Sequence, residues 1–128
     1  MKDIVLAIMN QLKADTNIAT AVGTQVFRAR LEPGETLPAI VVSRIDAIRP
    51  NDTNEDYINS RVQVTVYASN DGLADDICEM VANTLNRFVN NMLGGIYIVS
   101  MMDQGSMSDN NPEIGIWMYH RDFMVNYR

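Results

Sequence analysis

The sequence is poor in the residues on which disulfides, zinc sites and many catalytic centres depend. Its 128 residues include one cysteine, Cys78, and one histidine, His120. A single cysteine excludes a disulfide within the chain and is typical of a protein made in a reducing compartment. A zinc site built from cysteine and histidine is also excluded within one chain, because such sites need several of these ligands.

Long apolar runs and an excess of positive charge are also missing. No apolar run approaches the roughly 18 residues of a membrane-spanning helix, and no basic-plus-apolar leader is present, so we expect neither a membrane span nor a signal peptide. Residues 1–50 carry six basic and five acidic side chains, whereas residues 51–128 carry four and eleven. This distribution of the net charge of −6 argues against binding to nucleic-acid phosphates as the main activity.

The composition that remains is that of a folded globular protein, with 47% apolar and 20% charged residues. A chain of this length buries roughly two thirds of its unfolded surface, which is enough for one substantial core. We therefore expect residues 1–128 to form a single domain.

One strand followed by one helix organises the predicted fold. Apolar and polar residues alternate over residues 61–68, which predicts a half-buried strand. Over residues 73–92, apolar residues recur at spacings of three and four, which predicts a long helix capped by Asn70 or Asp71. The Gly94-Gly95 pair is expected to end this helix, since glycine favours the left-handed conformation of a C-cap.

The remaining elements are expected to complete a sheet with helices on one face. Asp3 is predicted to cap a first helix, and Thr16 or Asn17 a short second one that ends at Gly23. Further strands are predicted at residues 25–31, 39–48, 96–102 and 114–127. The order of these elements predicts an α+β fold: a mostly antiparallel five-stranded sheet, with an N-terminal helix and one long helix packed on one face.

Three local features refine this prediction. The run Ile40-Val41-Val42 indicates a strand that is buried on both faces. Two polar segments, 49–56 and 104–113, are expected to be loops. The apolar residues of the last strand change parity across residues 120–122, which predicts a β-bulge there.

The chemically versatile residues favour structural roles. Cys78 borders the apolar stripe of the long helix, so we interpret it as a packed core thiol. A nucleophilic pair of Cys78 with His120 is the alternative, but no residue is evident that would orient the histidine. Asp52, Glu55 and Asp56 lack the spacing of a calcium loop, so a solvated loop explains them better than a cation site. No catalytic residue, metal ligand or cofactor is predicted.

Five segments spread along nearly the whole chain carry a family resemblance. They are Asp15-x-x-Ile18, Val22-Gly23-x-x-Val26-Phe27, the segment from Leu37 to Ile45, the segment from Arg61 to Ile77 and the closing stretch from Tyr119 to Arg128. Their order and spacing resemble the tail-completion or head–tail joining proteins of tailed phages, a family related to tail terminators. The chain departs from the family at residues 120–122, where a longer Arg-x-x-Asp-Phe-type pattern is expected.

The resemblance implies a structural virion protein without enzymatic activity. It implies a homo-oligomeric ring, usually a hexamer, at the head-proximal end of the tail. There the ring caps the tail tube and joins it to the head connector, and genomic DNA passes through without sequence-specific binding. The implied partners are further copies of the chain, the tail-tube protein and the head connector proteins, with no membrane. The protein would be made in the host cytoplasm and end in the virion.

A ring requires two different surfaces on each protomer that fit each other. The two polar loops and the last strand, which is rich in methionine and aromatic residues, are candidates for these surfaces. The residues predicted to form the oligomer or channel interface are Arg49, Asp52, Glu55, Asp56, Met107, Asp109, Trp117, Tyr119, His120 and Arg121. Segment 49–56 is longer than a hairpin needs, which favours a function, although an unconstrained surface loop is the alternative.

Two other functions are compatible with these residues. A small ligand-binding or assembly module predicts a concave pocket with convergent polar groups. A carboxylate-dependent hydrolase predicts two buried acids with raised pKa values.

Overall fold

The computed structural model describes residues 3–48, 58–86 and 88–128. In these ranges it contains the α-helices α1 (Ile4–Ala14), α2 (Thr16–Val22) and α3 (Asp71–Leu85), and a short 3-10 helix at Pro112–Ile114. The strands in the same ranges are β1 (Val26–Arg28), β2 (Ala39–Ile48), β3 (Ile58–Ala68), β4 (Asn91–Leu93), β5 (Ile96–Ser108) and β6 (Trp117–Tyr127).

All strands of the described residues belong to one sheet, in the order β1-β2-β3-β6-β5-β4. β1 runs parallel to β2, and every other neighbouring pair is antiparallel. The predicted α+β class is confirmed, but the sheet has six strands of mixed direction where five were predicted. The additional strand is β4, which the sequence analysis placed inside the long helix.

The two N-terminal helices begin at aspartate caps. The Asp3 carboxylate accepts a hydrogen bond from a first-turn N–H of α1, as predicted. The cap of α2 is Asp15 and not Thr16 or Asn17: its Oδ1 atom accepts from the first-turn N–H groups of Asn17 and Ile18. Gly23 ends α2 with a positive φ of 63°, which confirms the predicted stop.

Helix α3 is shorter than its apolar periodicity predicts. Its N-cap is Asn70, whose side chain accepts from the N–H of Leu73 at 2.8 Å. It ends at Leu85, and residues 86–91 include three asparagines, a residue type of low helix propensity. Asn90 adopts a left-handed conformation with φ of 50°, which a helix interior excludes.

The Gly94-Gly95 pair forms a hairpin turn and not a helix C-cap. Strand β4 pairs antiparallel with the start of β5, and the two glycines connect them. Both have positive φ, 54° and 82°, which is the requirement of the two-residue turns that join twisted strands. The prediction that this pair ends a helix was therefore wrong.

The last two strands of the sheet, β5 and β6, also differ from the prediction. β5 continues to Ser108, through half of the segment predicted as a loop, and β6 begins only at Trp117. β6 pairs with β3 without any register shift, so the bulge predicted at residues 120–122 is absent. The irregularities lie in β5 instead, at Val99 and between Asp103 and Ser106. Gly105, with φ of 96°, supplies the left-handed residue that such a bulge accepts.

The helices pack on one face of the sheet, which we call the inner face. The predicted stripe of β3 is fully buried there, as are Phe123, Val125 and Tyr127 of β6. Cys78 lies in the same core with 1% of its surface exposed, which confirms its interpretation as a packed thiol. The prediction for β2 is also confirmed, because Val41 is buried on the opposite face while Ile40 and Val42 join the core.

Candidate functional site

The face of the sheet opposite the core, which we call the outer face, is not covered by any helix of the described residues. Cross-strand neighbours share a face, so the register defines its rows. One row contains Phe27, Val41, Thr65, His120 and Met107. The next rows contain Ala39, Tyr67 and Met118, then Ser43, Gln63 and Asp122, and then Asp46, Arg61, Met124 and Met102.

Polar side chains on this face are paired with each other across strands. Thr65 Oγ1 and His120 Nδ1 lie 2.9 Å apart in a hydrogen bond. Gln63 Nε2 donates to Asp122 Oδ1 at 3.1 Å in the neighbouring row. These bonds fix the directions of the side chains, so the centre of the outer face is an ordered surface.

The β5–β6 hairpin end of the outer face is both apolar and acidic. Met107 has 70% of its surface exposed beside His120. Asp109, whose N–H donates to the carbonyl of Met118, is exposed in the adjoining row. Burial, with a contribution from the negative charge of Asp109, raises the pKa of the Tyr67 phenol. Three of the predicted interface residues, Met107, Asp109 and His120, therefore lie together at this end.

Three other predicted interface residues belong to the inner side. Trp117, Tyr119 and Arg121 have the parity of the core residues of β6, so they lie on the inner face of the sheet. Tyr119 donates to the Asp71 carboxylate at 2.7 Å, and this hydrogen bond raises the pKa of Tyr119 to about 12. The structure thus divides the predicted set between two faces of the sheet.

Arg121 is nearly enclosed, with 11% of its side chain exposed. Its guanidinium donates to Asp103 at 2.8 Å and to Glu79 of α3 at 3.5 Å. Because a buried charge requires such partners, these contacts are sufficient to explain Arg121 as a structural ion pair between the sheet and α3.

The predicted residues Arg49, Asp52, Glu55 and Asp56 lie outside the described residues, as does the rest of segment 49–56. Their role in an interface or channel stays a prediction.

The geometry excludes a nucleophilic pair of Cys78 with His120. Cys78 lies in the core on the inner face, whereas the His120 side chain is on the outer face. Burial raises the pKa of the Cys78 thiol, although the nearby Arg121 acts in the opposite direction. A buried thiol of raised pKa is a poor nucleophile.

Grooves, metal sites and membrane spans give no stronger candidate. A groove of about 340 Å³ lies at the end of β1, but its Asp3 and Arg28 are paired with each other at 2.8 Å. Among residues 3–48, 58–86 and 88–128, no group of three or more His, Cys, Asp or Glu side chains is arranged to hold a metal ion. None of the helices in these ranges has the length and apolar content needed to cross a membrane.

Two exposed apolar residues of β2 and β5 are not among the predicted interface residues. Ile45 of β2 and Met102 of β5 have 51% and 58% of their surfaces exposed. Ile45 is flanked by Arg44 and Asp46, and an isolated apolar residue in a polar stretch is a usable signal. The abundance of methionine makes Met101 and Met102 both candidates for a contact surface; in the structure Met102 is exposed, whereas Met101 belongs to the core.

Comparisons with known proteins add two findings. The family model of the tail completion protein gp17 matches residues 6–87. The structure is similar to a chain from the virion of a native gene transfer agent particle, with a TM-score of 0.77 and 19% sequence identity. That similarity covers 97% of this chain and 93% of the other, and it shows a shared fold. No curated protein sequence matches this chain.

Proposed function

Since this chain belongs to the gp17 family of tail completion proteins and is thereby a structural protein of the virion tail, we propose that it forms a ring at the head-proximal end of the tail. The ring, of six copies, caps the tail tube and joins it to the head connector, and DNA passes through its centre. The observation that carries this proposal is the family match over residues 6–87, which is more than half of the chain. The protein works by contact and has no enzymatic activity.

The arrangement of the fold supports an assembly role. The apolar faces of α1, α3 and the inner sheet face are used up in one core. The outer face is left with ordered polar pairs and exposed methionines, a combination typical of contact surfaces. The predicted interface residues belong to this proposal, with Met107, Asp109 and His120 on the outer face, and the four residues of segment 49–56 completing the ring or channel surface.

The charge of the molecule supports passage of DNA without binding. The chain carries a net charge of −6, and the outer face carries Asp46, Asp109 and Asp122 against the single basic residue Arg61 of the rows described above. Carboxylates repel phosphates, so a channel lined by this surface does not hold the DNA. The purified protein is expected not to retard duplex DNA at physiological salt. Retardation with a steep dependence on salt would contradict this part of the proposal.

A gene-deletion experiment tests the joining role. Particles made without this protein are expected to accumulate as separate DNA-filled heads and tails, which negative-stain electron microscopy counts directly. Purified protein added to such a lysate should restore joined particles, and heat-denatured protein serves as the matched control. Normal joining without the protein would overturn the proposal.

A further inference from the structure

On each side of the sheet, a long strand is paired with a short outer strand along only part of its length. β1 pairs with Ile40–Val42 of β2, and one more backbone bond, from the N–H of Ala29, reaches the Val42 carbonyl. Beyond this point, no described residue pairs with the side of β2 that faces away from β3. We call Ser43–Ile48 the β2 edge.

The other side of the sheet has the same design. β4 pairs with Ile96–Ile98 of β5, and the N–H of Asn90 bonds to the Val99 carbonyl. The rest of β5 has no described strand on the side away from β6. We call Met102–Ser108 the β5 edge. Within the described part of the chain, the sheet therefore has one unpaired strand segment on each side.

Unpaired strand edges attract other strands, and proteins usually protect them with charges, prolines or bulges. Each edge here does contain a bulge, at Ile45 and between Asp103 and Ser106. Yet each also exposes large apolar side chains: Ile45 on the β2 edge, and Met102 and Met107 on the β5 edge. Exposed apolar residues beside open backbone groups indicate surfaces that are covered in an assembly.

The strand directions make the two edges fit each other in a ring. From β2 to β3, from β3 to β6 and from β6 to β5, each pairing is antiparallel, so β2 and β5 run in opposite directions. A rotation about an axis roughly along the strands leaves these directions unchanged. It places the β5 edge of one copy antiparallel to the β2 edge of the next, with all helices on the same side. Such a contact is heterologous, as a ring requires.

We propose that neighbouring copies in the ring join by antiparallel pairing of the β2 edge of one copy with the β5 edge of the next, so that their sheets form one continuous sheet. This inference rests on the proposed ring and adds the surface by which it closes. The second copy of this chain is the occupant because both halves of the contact are present on every protomer.

The steps formed by β1 and β4 support this pairing. β1 covers only the beginning of β2, and β4 covers only the beginning of β5. Because β2 and β5 run in opposite directions, the two covered regions lie at opposite ends of the sheet. On each side of the sheet the short outer strand ends partway along its neighbour, and we call this offset a step. The two steps fit together when neighbouring sheets are displaced along the strands by a few residues. Strands that are tilted relative to the ring axis, as in closed barrels, produce such a displacement.

Charge complementarity points to the same partner. The step at the β2 edge contains the groove of about 340 Å³, whose lining includes the ion pair of Arg28 with Asp3 and the exposed Arg44, so the groove has one positive charge in excess. Among the described residues Arg44 has no ion pair. The hairpin end of the β5 edge carries the exposed acids Asp109 and Glu113. In the interlocked arrangement this acidic end meets the basic step, where charges of opposite sign favour the correct register.

Substitution of exposed apolar edge residues tests the proposal. I45K and M107K each bring an ammonium group to the paired edges, whereas L6K and V89K make the same change at exposed positions away from them. Both edge variants are expected to melt like the unmodified protein, because these side chains are solvent-exposed. Each is expected to lower the yield of joined particles about tenfold or more, since an unpaired charge is costly in a strand contact. Yields equal to those of the control variants would overturn the proposal.

Cysteine cross-linking in joined particles provides a second, independent measurement. Ile45→Cys is combined in turn with substitutions at Met102, Gln104, Ser106 and Met107, and the control pair is Leu6→Cys with Val89→Cys. At least one edge pair is expected to give a ladder of disulfide-linked oligomers on a non-reducing gel, and the control pair none. If an amine-reactive reagent shows a ring but no edge pair cross-links, the edge pairing is wrong and the proposed function stands. If that reagent shows no ring, both are overturned.

Discussion

Asp15 connects all three α-helices, so its replacement is a sensitive test of how this corner of the fold is stabilised. Its backbone N–H bonds to the Leu12 carbonyl at the end of α1 at 3.3 Å. Its Oδ1 atom accepts from the N–H groups of Asn17 and Ile18 at the start of α2, at 3.0 and 3.1 Å. Its Oδ2 atom accepts from the Thr84 hydroxyl of α3 at 2.8 Å. The Asp15→Ala variant loses the cap and the link to α3 together.

The expected cost follows from two separate losses. Removing an N-cap costs about 1 kcal/mol, within a range of roughly 0.5–2. Thr84 is 3% exposed, so its hydroxyl loses a buried acceptor, which costs about 1–3 kcal/mol. A threonine hydroxyl in a helix can bond to the carbonyl four residues earlier, which recovers part of this loss. We therefore expect Asp15→Ala to lower the free energy of unfolding by about 2–3 kcal/mol.

Urea unfolding measures this change as a shift of the midpoint at constant slope. Asp15→Asn keeps a good N-cap but presents an amide, so it should lower the free energy of unfolding by about half as much as Asp15→Ala. Thr16→Ala is the matched control, because Thr16 was the predicted cap and caps nothing in the structure. A double-mutant cycle with Thr84→Val isolates the link to α3, with an expected coupling of about 0.5–2 kcal/mol. A cost for Asp15→Ala below about 0.5 kcal/mol, or equal to that of Thr16→Ala, would refute this reasoning.

Three further predictions concern α3 and its neighbours. Cys78 should react with a thiol reagent far more slowly in the native protein than in urea, since burial shields it and raises its pKa; equal rates would place it outside the core. Ile77→Asp should abolish the cooperative unfolding transition in circular dichroism, whereas Asn83→Asp on the exposed face of α3 should change it by a few tenths of a kcal/mol; similar effects would mean that α3 does not pack on the sheet. The pKa of Tyr119, raised from 10.0 to about 12 by its bond to Asp71, makes its contribution to stability complete below pH 10 and lost as the pH rises toward 12. The stability difference between the protein and Tyr119→Phe should shrink over that range and not below it.

Local alternation was sufficient to predict the centre of the fold. The apolar residues of β3 follow a period of two without interruption, and each is buried on the inner face. Such a pattern defines both the strand and the face that it buries, because one residue of slippage would expose the whole set. The prediction of α1 from Asp3 and its apolar stripe succeeded for a similar reason.

Periodicity failed where the chain changes from one element to another. Phe88 and Met92 continue the helical spacing of α3 beyond its end at Leu85, so the sequence pattern favours a longer helix. In the structure Phe88 packs into the core from the connection after α3, and Met92 is exposed in β4. The asparagines between them and the hairpin turn at Gly94-Gly95 decide the outcome, and their effect depends on β5 being available as a partner.

The candidate interface could be predicted only in part, because faces and edges depend on different information. His120 and Arg121 are adjacent in sequence, and strand alternation alone puts them on opposite faces. Which face is covered by helices follows from the uninterrupted apolar parity of β3 and not from β6, whose change of parity predicted a bulge that is absent. Which strand is at an edge does not, since the strand order results from pairings between distant segments. The edge positions of Ile45 and Met102 therefore became visible only in the sheet.

The position of β6 in the sheet determines which mutations can change an assembly surface without unfolding the protein. β6 is the last strand in the chain but lies between β3 and β5, and its Phe123, Val125 and Tyr127 fill the core. Tyr127 also shares a buried hydrogen bond with Ser60 at 3.1 Å. A deletion at this end of the chain therefore removes the middle of the sheet, and loss of assembly would follow from unfolding. Because β5 is held at the edge by β6, point changes on exposed β5 side chains separate assembly from folding, whereas truncations of β6 do not.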